Sequence, residues 1–170
     1  LTIAKGQNMG NEFIDKYAFE VVDLIRKKEV SSAELLKASQ ERHIEVDEKV
    51  NALPYTFYDK ALTKAKNINI DSERKNKKSL LGLPIAVKDY NDVAGVPTTF
   101  GSKIFSNNIP SKSDSTIARL EQNGALPVAK SNVPEWAGGH TFNPVYGVTK
   151  NPFNKNKIAG GSSGGSSVAL

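Results

Sequence analysis

Two stretches of the sequence carry residues that could perform acid–base or nucleophilic chemistry, and the first is centred on Lys88. The lysine follows an apolar run at residues 83–87, which is typical of a buried strand. In open α/β sheets, sites form at the carboxyl ends of strands. A lysine held against apolar residues has a lowered pKa and can serve as a base. The alternative is that Lys88 only marks the end of the strand, with its ammonium group in water or paired with Asp89 or Asp92.

The second stretch is the glycine- and serine-rich segment AGGSSGGSS at residues 159–167. Glycines let backbone N–H groups turn towards an anion or oxyanion, and serines supply a nucleophile or a proton relay. The spacing matches neither a phosphate-binding P-loop nor the G-x-S-x-G nucleophile elbow. A flexible linker has the same composition. The apolar residues 168–170 that follow, and the aromatic residues that precede the segment, favour an ordered element.

Other reactive side chains are few. The sequence contains no cysteine and only two histidines, which excludes thiolate chemistry and a disulfide framework. His43 falls on the polar side of a predicted helix, and we expect it to be exposed. His140 could act as a general base, but with Glu135 as the only acidic neighbour a structural or substrate-lining role is favoured. We expect neither a metal nor a cofactor.

Composition indicates one globular domain. The 170 residues are 38% hydrophobic and 24% charged, with a net charge of +5, enough for a single packed core. Basic residues cluster at 74–78 and 150–157. The first cluster, RKNKK, has no interleaved aromatic residues for base stacking, so a solvated loop is favoured over nucleic-acid binding. No apolar run is long enough to span a membrane, and the lack of cysteine fits a cytoplasmic location.

The elements that must position these residues begin with helices. Apolar periodicity predicts a helix over residues 12–30. Ser31 and Glu34 have capping-box spacing and predict a second helix that runs to about Asp47. Its apolar side comprises Leu35, Leu36 and Ile44. The next segments are predicted as a loop or short strand (51–57), a helix (58–67) and a solvated loop (68–79).

The second half predicts a βαβ unit. A strand at 83–87 ends at Lys88, a helix follows at 113–123, and a second strand occupies 125–130. Ile117 and Leu120 face inward on the helix, and Gly124 ends it. A strand, crossover helix and strand predict a parallel pair. Residues 131–163 have few regular signals, but their aromatic residues favour an ordered, functional segment.

Five motifs then stand in a fixed order: GLPIAVKD (82–89), TTFGS (98–102), STIARLEQNGALPVAKSNVPEW (115–136), NPVYGVTKNPFN (143–154) and GGSSGGSS (160–167). Together they closely resemble the N-terminal part of the amidase signature family. The resemblance covers about residues 15–170 and is densest from residue 82. Ala129 stands where the family commonly has glycine, which bears on local packing and not on a catalytic residue.

The resemblance implies an α/β fold, with N-terminal helices followed by part of a mixed, largely parallel sheet and its covering helices. We expect an incomplete amidase signature fold, in which residues 1–170 form the N-terminal portion of a single amidase domain. Residues 1–67 would be a helical lead-in and residues 80–170 the start of the α/β catalytic core. The remainder of the domain would be missing.

The resemblance also implies a Ser–cis-Ser–Lys triad. Lys88 matches the catalytic lysine, and Ser162 matches the middle serine, whose incoming peptide bond is cis in the family. Gly161 and Ser163 match structural positions beside them. The nucleophilic serine falls beyond Leu170, so the chain alone is expected to be inactive, and Ser166 and Ser167 do not replace the nucleophile.

The segment 135–142 matches a part of the family that borders the acyl-binding side of the pocket. Within it we expect Ala137 and Gly138 to lie nearest the substrate. The version found here, WAGGHTFNPVYG, looks more like stand-alone amidases than like the glutaminase subunit of the glutamyl-tRNA amidotransferase.

The implied function is hydrolysis of a carboxylic amide to an acid and ammonia or an amine, through an acyl-enzyme. One alternative is the glutaminase subunit of a glutamyl-tRNA(Gln) amidotransferase, which uses the same chemistry in a different assembly. Another is a catalytically inactive fragment or a basic binding module that uses RKNKK. The expected partner is a small-molecule amide, with no nucleic acid and no membrane span, and a homodimer is left open.

Overall fold

A computed structural model of the chain describes residue 13 and residues 15–73, 75–76 and 79–170. The predicted start of the first helix, at residue 12, and most of the RKNKK cluster therefore lie outside the described residues. Within them, helices α1 (Ala18–Lys27) and α2 (Ser32–Val50) come first. Phe13 is helical but residues 15–17 are irregular, so the helix predicted over residues 12–30 is interrupted before α1.

Both helices begin at caps formed by local side chains. At α1, the Tyr17 N–H donates to Glu20 Oε2 at 2.8 Å. At α2, Ser31 Oγ accepts from the Glu34 N–H at 3.2 Å and the Ser31 N–H donates to Glu34 Oε2 at 2.8 Å. This reciprocal pair satisfies N–H groups that the first helical turn leaves open, and it confirms the predicted capping box.

The C-terminal half of α2 differs from its prediction in two side chains. Ile44 was placed on the apolar side but is 70% exposed, and His43, expected at the surface, keeps only 18% of its side chain exposed. The reason is that this half of α2 faces the next helix through polar residues. Ser39 Oγ lies 3.2 Å from the Tyr58 hydroxyl, and the His43 ring lies 6.3 Å from the Tyr58 ring.

A three-stranded mixed sheet follows, as the sequence predicts. Strands β1 (Tyr55–Thr56), β2 (Pro84–Lys88) and β3 (Leu126–Ser131) lie in the order β1-β3-β2. Strand β3 runs antiparallel to β1 and parallel to β2. Helix α5 (Ser115–Gln122) is the crossover between the parallel strands. The parallel register places Lys88 opposite Ser131, at the carboxyl edge.

Further elements complete the described chain. Helix α3 (Tyr58–Lys66) agrees with its prediction, whereas the predicted loop at 68–79 contains the short helix α4 (Ile70–Glu73). Residues 131–163 have a mostly irregular backbone, and the structure describes all of them. They contain a 3₁₀ turn (Glu135–Ala137) and a hairpin of β4 (Phe142–Asn143) and β5 (Gly147–Val148). Helix α6 (Gly164–Ala169) comes last, and another 3₁₀ turn spans Lys103–Phe105.

The apolar core covers both faces of the sheet. On one face, β3 packs with Leu36 of α2 and with Tyr58 and Ala61 of α3. A second cluster joins Val87 of β2 to Ile117 of α5. All six residues of β3 are buried, which is typical of a central strand in an α/β sheet. No helix among the described residues is long and apolar enough to cross a membrane.

Helix α6 approaches the end of β3 closely at Gly165. A Cβ added there would lie 2.3 Å from the Asn132 backbone nitrogen and 2.6 Å from the Ala52 carbonyl oxygen. Both atoms belong to the backbone and cannot rotate away. Only glycine fits this contact, since real Cβ atoms do not approach other heavy atoms so closely.

We therefore predict that Gly165→Ala destabilises the chain by about 2 kcal/mol, because overpacking outweighs the better helix propensity of alanine. Urea unfolding measures the change. Gly138→Ala is the matched control, since its nearest atom is Glu135 O at an ordinary 3.6 Å, and it should leave stability nearly unchanged. Equal stability of Gly165→Ala and the parent chain would contradict the packing argument.

Candidate active site

Lys88 and Ser162 are 74 residues apart in the sequence but share a hydrogen bond. Lys88 Nζ donates to Ser162 Oγ at 2.7 Å. Lys88 is the last residue of β2, and Ser162 lies in the turn just before α6. The structure thus brings together the two reactive stretches of the sequence at the carboxyl edge of the sheet.

The turn that carries Ser162 is packed against the segment that follows β3. The Gly161–Ser162 peptide bond is cis, the geometry that the family resemblance implies. A Cβ at Gly161 would lie 1.9 Å from the Gly139 carbonyl oxygen, so this backbone contact requires glycine. The Thr141 N–H also donates to Gly160 O at 2.8 Å. Residues 139–141 therefore hold the turn from one side.

Lys88 lies in a setting that favours its neutral form. Burial lowers the pKa of Lys88, because desolvation penalises the charged ammonium. The Tyr90 ring lies alongside, with Nζ 5.5 Å from the ring centroid, and this contact favours the charged ammonium and so opposes the effect of burial. The pairing with Asp89 that we considered for Lys88 is not what the structure shows, since Asp89 pairs with Lys130. A lysine with a lowered pKa, bonded to a hydroxyl group, is suited to act as a base.

A buried ion pair next to Lys88 escaped the sequence analysis. Asp89 and Lys130 are both 0% exposed, and Lys130 Nζ lies 3.6 Å from Asp89 Oδ1. The Thr99 N–H and hydroxyl group both donate to the Asp89 carboxylate, and Lys130 Nζ donates to Asn91 O at 2.6 Å. Burial raises the pKa of Asp89 and lowers that of Lys130, while their attraction opposes both shifts. The Asp89–Lys130 ion pair therefore attaches the loop that follows Lys88 to strand β3.

Helix α6 is attached to the end of β3 by polar contacts. Ser131 Oγ and Ser166 Oγ lie 2.7 Å apart, and the Gly165 N–H donates to Asn132 O at 3.2 Å. The Gly164 N–H donates to Thr141 Oγ1 at 3.0 Å. These contacts fix the helix that begins directly after the Ser162 turn. Sequence reasoning missed them, because serines and asparagines carry no periodic signal.

The remaining candidate residues lie around this centre. Ser163 is the residue before α6, and its carbonyl accepts from the Ser167 N–H at 3.0 Å. Ala137 closes the 3₁₀ turn, and Gly138 follows it. No hydrogen bond among the described residues joins Ala137 or Gly138 to Lys88 or Ser162. His140 is exposed.

Two cavities lie elsewhere, beside α2, with volumes of about 370 and 390 Å³. Both are lined by His43, Asp47 and Leu53, and neither is lined by Lys88 or Ser162. Among the described residues there is no cluster of His, Asp or Glu that could hold a metal ion. The candidate site is the Lys88–Ser162 pair and its surroundings, because their hydrogen bond joins the two reactive stretches of the sequence.

Comparison with known proteins agrees with this placement of motifs. The amidase family model matches residues 34–170. The chain belongs to the amidase family. A glutamyl-tRNA(Gln) amidotransferase subunit of Clostridium novyi (strain NT) is 36% identical over 161 residues, which cover 94% of this chain and 33% of that protein.

Solved amidase structures share the fold. Fatty acid amide hydrolase matches with a TM-score of 0.82 and 27% identity, covering 95% of this chain and 30% of that one. A bacterial aryl acylamidase of the amidase signature enzymes matches with a TM-score of 0.80 and 29% identity, covering 88% of this chain and 32% of that one. The chain therefore spans about a third of the length of the amidases that it matches.

We predict that Lys88 titrates below the ordinary lysine pKa of about 10.4. The ¹³Cε chemical shift of labelled lysines reports the midpoint, and the Lys88 signal is assigned by its loss in Lys88→Gln. Because burial causes the shift, the midpoint should remain low in Ser162→Ala. A midpoint at or above the ordinary value would contradict the burial argument.

The lowered pKa of Lys88 also makes the free energy of unfolding depend on pH. Between the folded-state pKa and about 10.4, the unfolded chain binds more protons at Lys88 than the folded chain does. The contribution of Lys88 to stability therefore rises with pH across this window. It is lowest at pH values below the folded-state pKa, where folding must bury the charged ammonium.

Proposed function

We propose that this amidase-family chain provides the lysine and the middle serine of an amide-hydrolysing centre. The observation that carries the proposal is the 2.7 Å hydrogen bond between Lys88 Nζ and Ser162 Oγ, at a lysine whose pKa is lowered by burial. Amide hydrolysis needs a base that is neutral at working pH and a path for its proton. The pair supplies both. The expected products are a carboxylic acid and ammonia or an amine.

The proposed reaction proceeds through an acyl-enzyme. Neutral Lys88 accepts a proton from Ser162 while Ser162 accepts one from a nucleophilic serine, whose oxygen then attacks the amide carbon. Backbone N–H groups stabilise the oxyanion. The relay returns the proton to the leaving nitrogen as the C–N bond breaks. Water then attacks the ester through the same relay, which releases the acid and restores the serine.

The proposal assigns the other parts of the domain as follows. Residues 1–67 would be a lead-in that is helical apart from the short strand β1, which pairs with β3. Residues 80–170 would begin the catalytic core, and the nucleophilic serine is placed beyond Leu170. The span of about a third of the matched amidases supports placing further parts of the domain outside residues 1–170. Gly161 and Ser163 shape the turn around Ser162. The cytoplasmic location and a homodimer stay predictions.

Ala137 and Gly138 are proposed to contact the substrate. Two features support this. Trp136 and Ala137 have φ angles of 52° and 56°, a region that residues other than glycine rarely adopt and that is enriched at functional sites. The next residue after Gly138, Gly139, contacts Gly161. The segment thus reaches the turn that carries Ser162.

In the complete protein that this proposal requires, Lys88→Ala should lower kcat/KM at least about 10³-fold, because the relay loses its base. Ser162→Ala should have an effect of similar size. A suitable panel contains glutamine, a short acyl para-nitroanilide and a long-chain primary amide. Release of ammonia or nitroaniline measures turnover.

The exposed Lys112 provides the matched control. Lys112→Ala removes the same charge away from the site and should leave turnover unchanged. Circular dichroism confirms that each variant is folded. Near-normal turnover by folded Lys88→Ala would refute the assignment of Lys88 as the base.

A second candidate function is that of an amidotransferase subunit that releases ammonia from glutamine. It is favoured by relatives named as glutamyl-tRNA(Gln) amidotransferase subunits, at 36% identity to this chain in Clostridium novyi. The chemistry is the same, and the difference is the acyl group and the assembly. The segment WAGGHTFNPVYG, which resembles that of stand-alone amidases, favours the first function.

Copurification separates the two functions. For a stand-alone amidase we expect the tagged complete protein to elute without a partner subunit from its native host and to hydrolyse the para-nitroanilide or the long-chain amide. Stoichiometric recovery of a second subunit, together with glutamine as the only amide hydrolysed, would establish the amidotransferase instead.

A further inference from the structure

We propose that Ser131 and Ser166 are positioning residues that hold the Ser162 hydroxyl group in register with Lys88. This inference rests on the proposed function of the Lys88–Ser162 pair. Ser131 is fully buried, and its Oγ lies 2.7 Å from Ser166 Oγ. Neither serine takes part in the proton relay described above. Their contact is instead a second link between the sheet and the segment that carries Ser162.

The first step of the argument is the register of the sheet. Lys88 and Ser131 are partners on the adjacent parallel strands β2 and β3. Side chains of such partners project from the same face of a sheet, because each strand alternates with a period of two. Lys88 and Ser131 are therefore neighbours at one edge and on one face.

The second step is the spacing of their partners. Lys88 is bonded to Ser162, and Ser131 to Ser166, four residues further along. Four residues correspond to about one helical turn, and α6 begins between the two serines, at Gly164. Two neighbouring strand ends are thus linked to two points of one short segment. A segment held at two points cannot pivot about either one.

The third step is the difference between the two links. Lysine has a flexible stem and an ammonium with rotatable donors, so its bond to Ser162 tolerates many orientations of the turn. Serine has one side-chain torsion, and the fully buried Ser131 has little freedom in it. The Ser131–Ser166 link therefore defines the position of α6. The Gly165 contact with Asn132 O, at 3.2 Å, lies between these points and keeps the helix close.

The test uses the complete protein and the best of the three amides in the panel. Ser131→Ala and Ser166→Ala should each lower kcat about tenfold with KM little changed, since the relay geometry and not substrate binding is affected. The double variant should be no slower than either single variant, because both remove the same link. Ser131→Thr keeps a hydroxyl group in a strand, where threonine is favoured, and should restore most of kcat.

The pH profile provides a readout that a loss of stability alone would not change. A looser turn admits water to Lys88 and moves its pKa back towards the ordinary value. The acid limb of kcat/KM, which reports the base of the free enzyme, should therefore shift to higher pH in Ser131→Ala. It should return in Ser131→Thr.

Ser32→Ala is the matched control. Ser32 is also a buried serine, and its Oγ donates to Leu81 O at 2.6 Å, away from the site. This variant should lose stability but keep kcat and the midpoint of the acid limb. If Ser131→Ala does not fold, Ser166→Ala, at a half-buried residue, tests the positioning role through the same kcat and pH measurements.

The two proposals fail in different ways. Loss of activity in Lys88→Ala combined with unchanged kcat and pH midpoint in Ser131→Ala and Ser166→Ala would overturn the positioning role alone. Retained activity in Lys88→Ala would overturn the proposed function itself. A strictly additive double variant would show that the two serines do not act through one link, and would also overturn the inference.

Discussion

The candidate site depends on the close contact between α6 and the carboxyl edge of the parallel pair β2–β3. At this edge the register sets Lys88 beside Ser131, and the backbone of Gly165 contacts Asn132 directly. A larger residue would move the helix away from the strands. The Ser162 turn, which precedes the helix, would move with it. The length of a single hydrogen bond between Lys88 and Ser162 is thus determined by backbone packing several residues away.

The two lysines at this edge, Lys88 and Lys130, lie on opposite faces of the sheet and have different partners. Lys130 lies beside Val87 in the register, one position before the partner of Lys88, so the alternation of the strand directs it to the opposite face. There it is fully buried and paired with Asp89. A buried ammonium requires such a counter-ion. Lys88 is bonded to a hydroxyl group instead, so losing its proton leaves no carboxylate unpaired.

Local signals predicted most of the fold. The capping box at Ser31 and Glu34, the two apolar strands and the intervening helix with its glycine stop each have a mechanism within a few residues of chain. Such signals do not predict which side of a helix is buried where the helix packs through polar side chains. His43 and Ile44 were assigned to the wrong sides because Ser39 and His43, and not an apolar stripe, face α3. The helix predicted over residues 12–30 is also interrupted at residues 15–17, where apolar spacing continues through irregular backbone.

The candidate site could be predicted only through the order of its motifs. Periodicity alone left Lys88 as an ordinary strand end and the glycine–serine segment as either a turn or a linker. The family resemblance selected Lys88 and Ser162 out of these alternatives. It did not select Asp89 with Lys130, nor Ser131 with Ser166, because their importance comes from contacts between distant parts of the chain. The roles of Ala137 and Gly138 stay predictions.

The topology explains why one third of an amidase-length chain can hold two members of the proposed triad. The βαβ unit is a local motif in which residues 89–125, including α5, connect β2 to β3, and the entropic cost of closing such a connection grows only slowly with its length. The segment after β3 then returns over the same edge through residues 139–141 and brings the Ser162 turn back to Lys88. Lys88 and Ser162, the proposed base and its first proton donor, are therefore arranged by contacts within this segment. A nucleophile added from elsewhere in the domain would meet a relay that is already assembled, and its own placement is the remaining geometric requirement for catalysis.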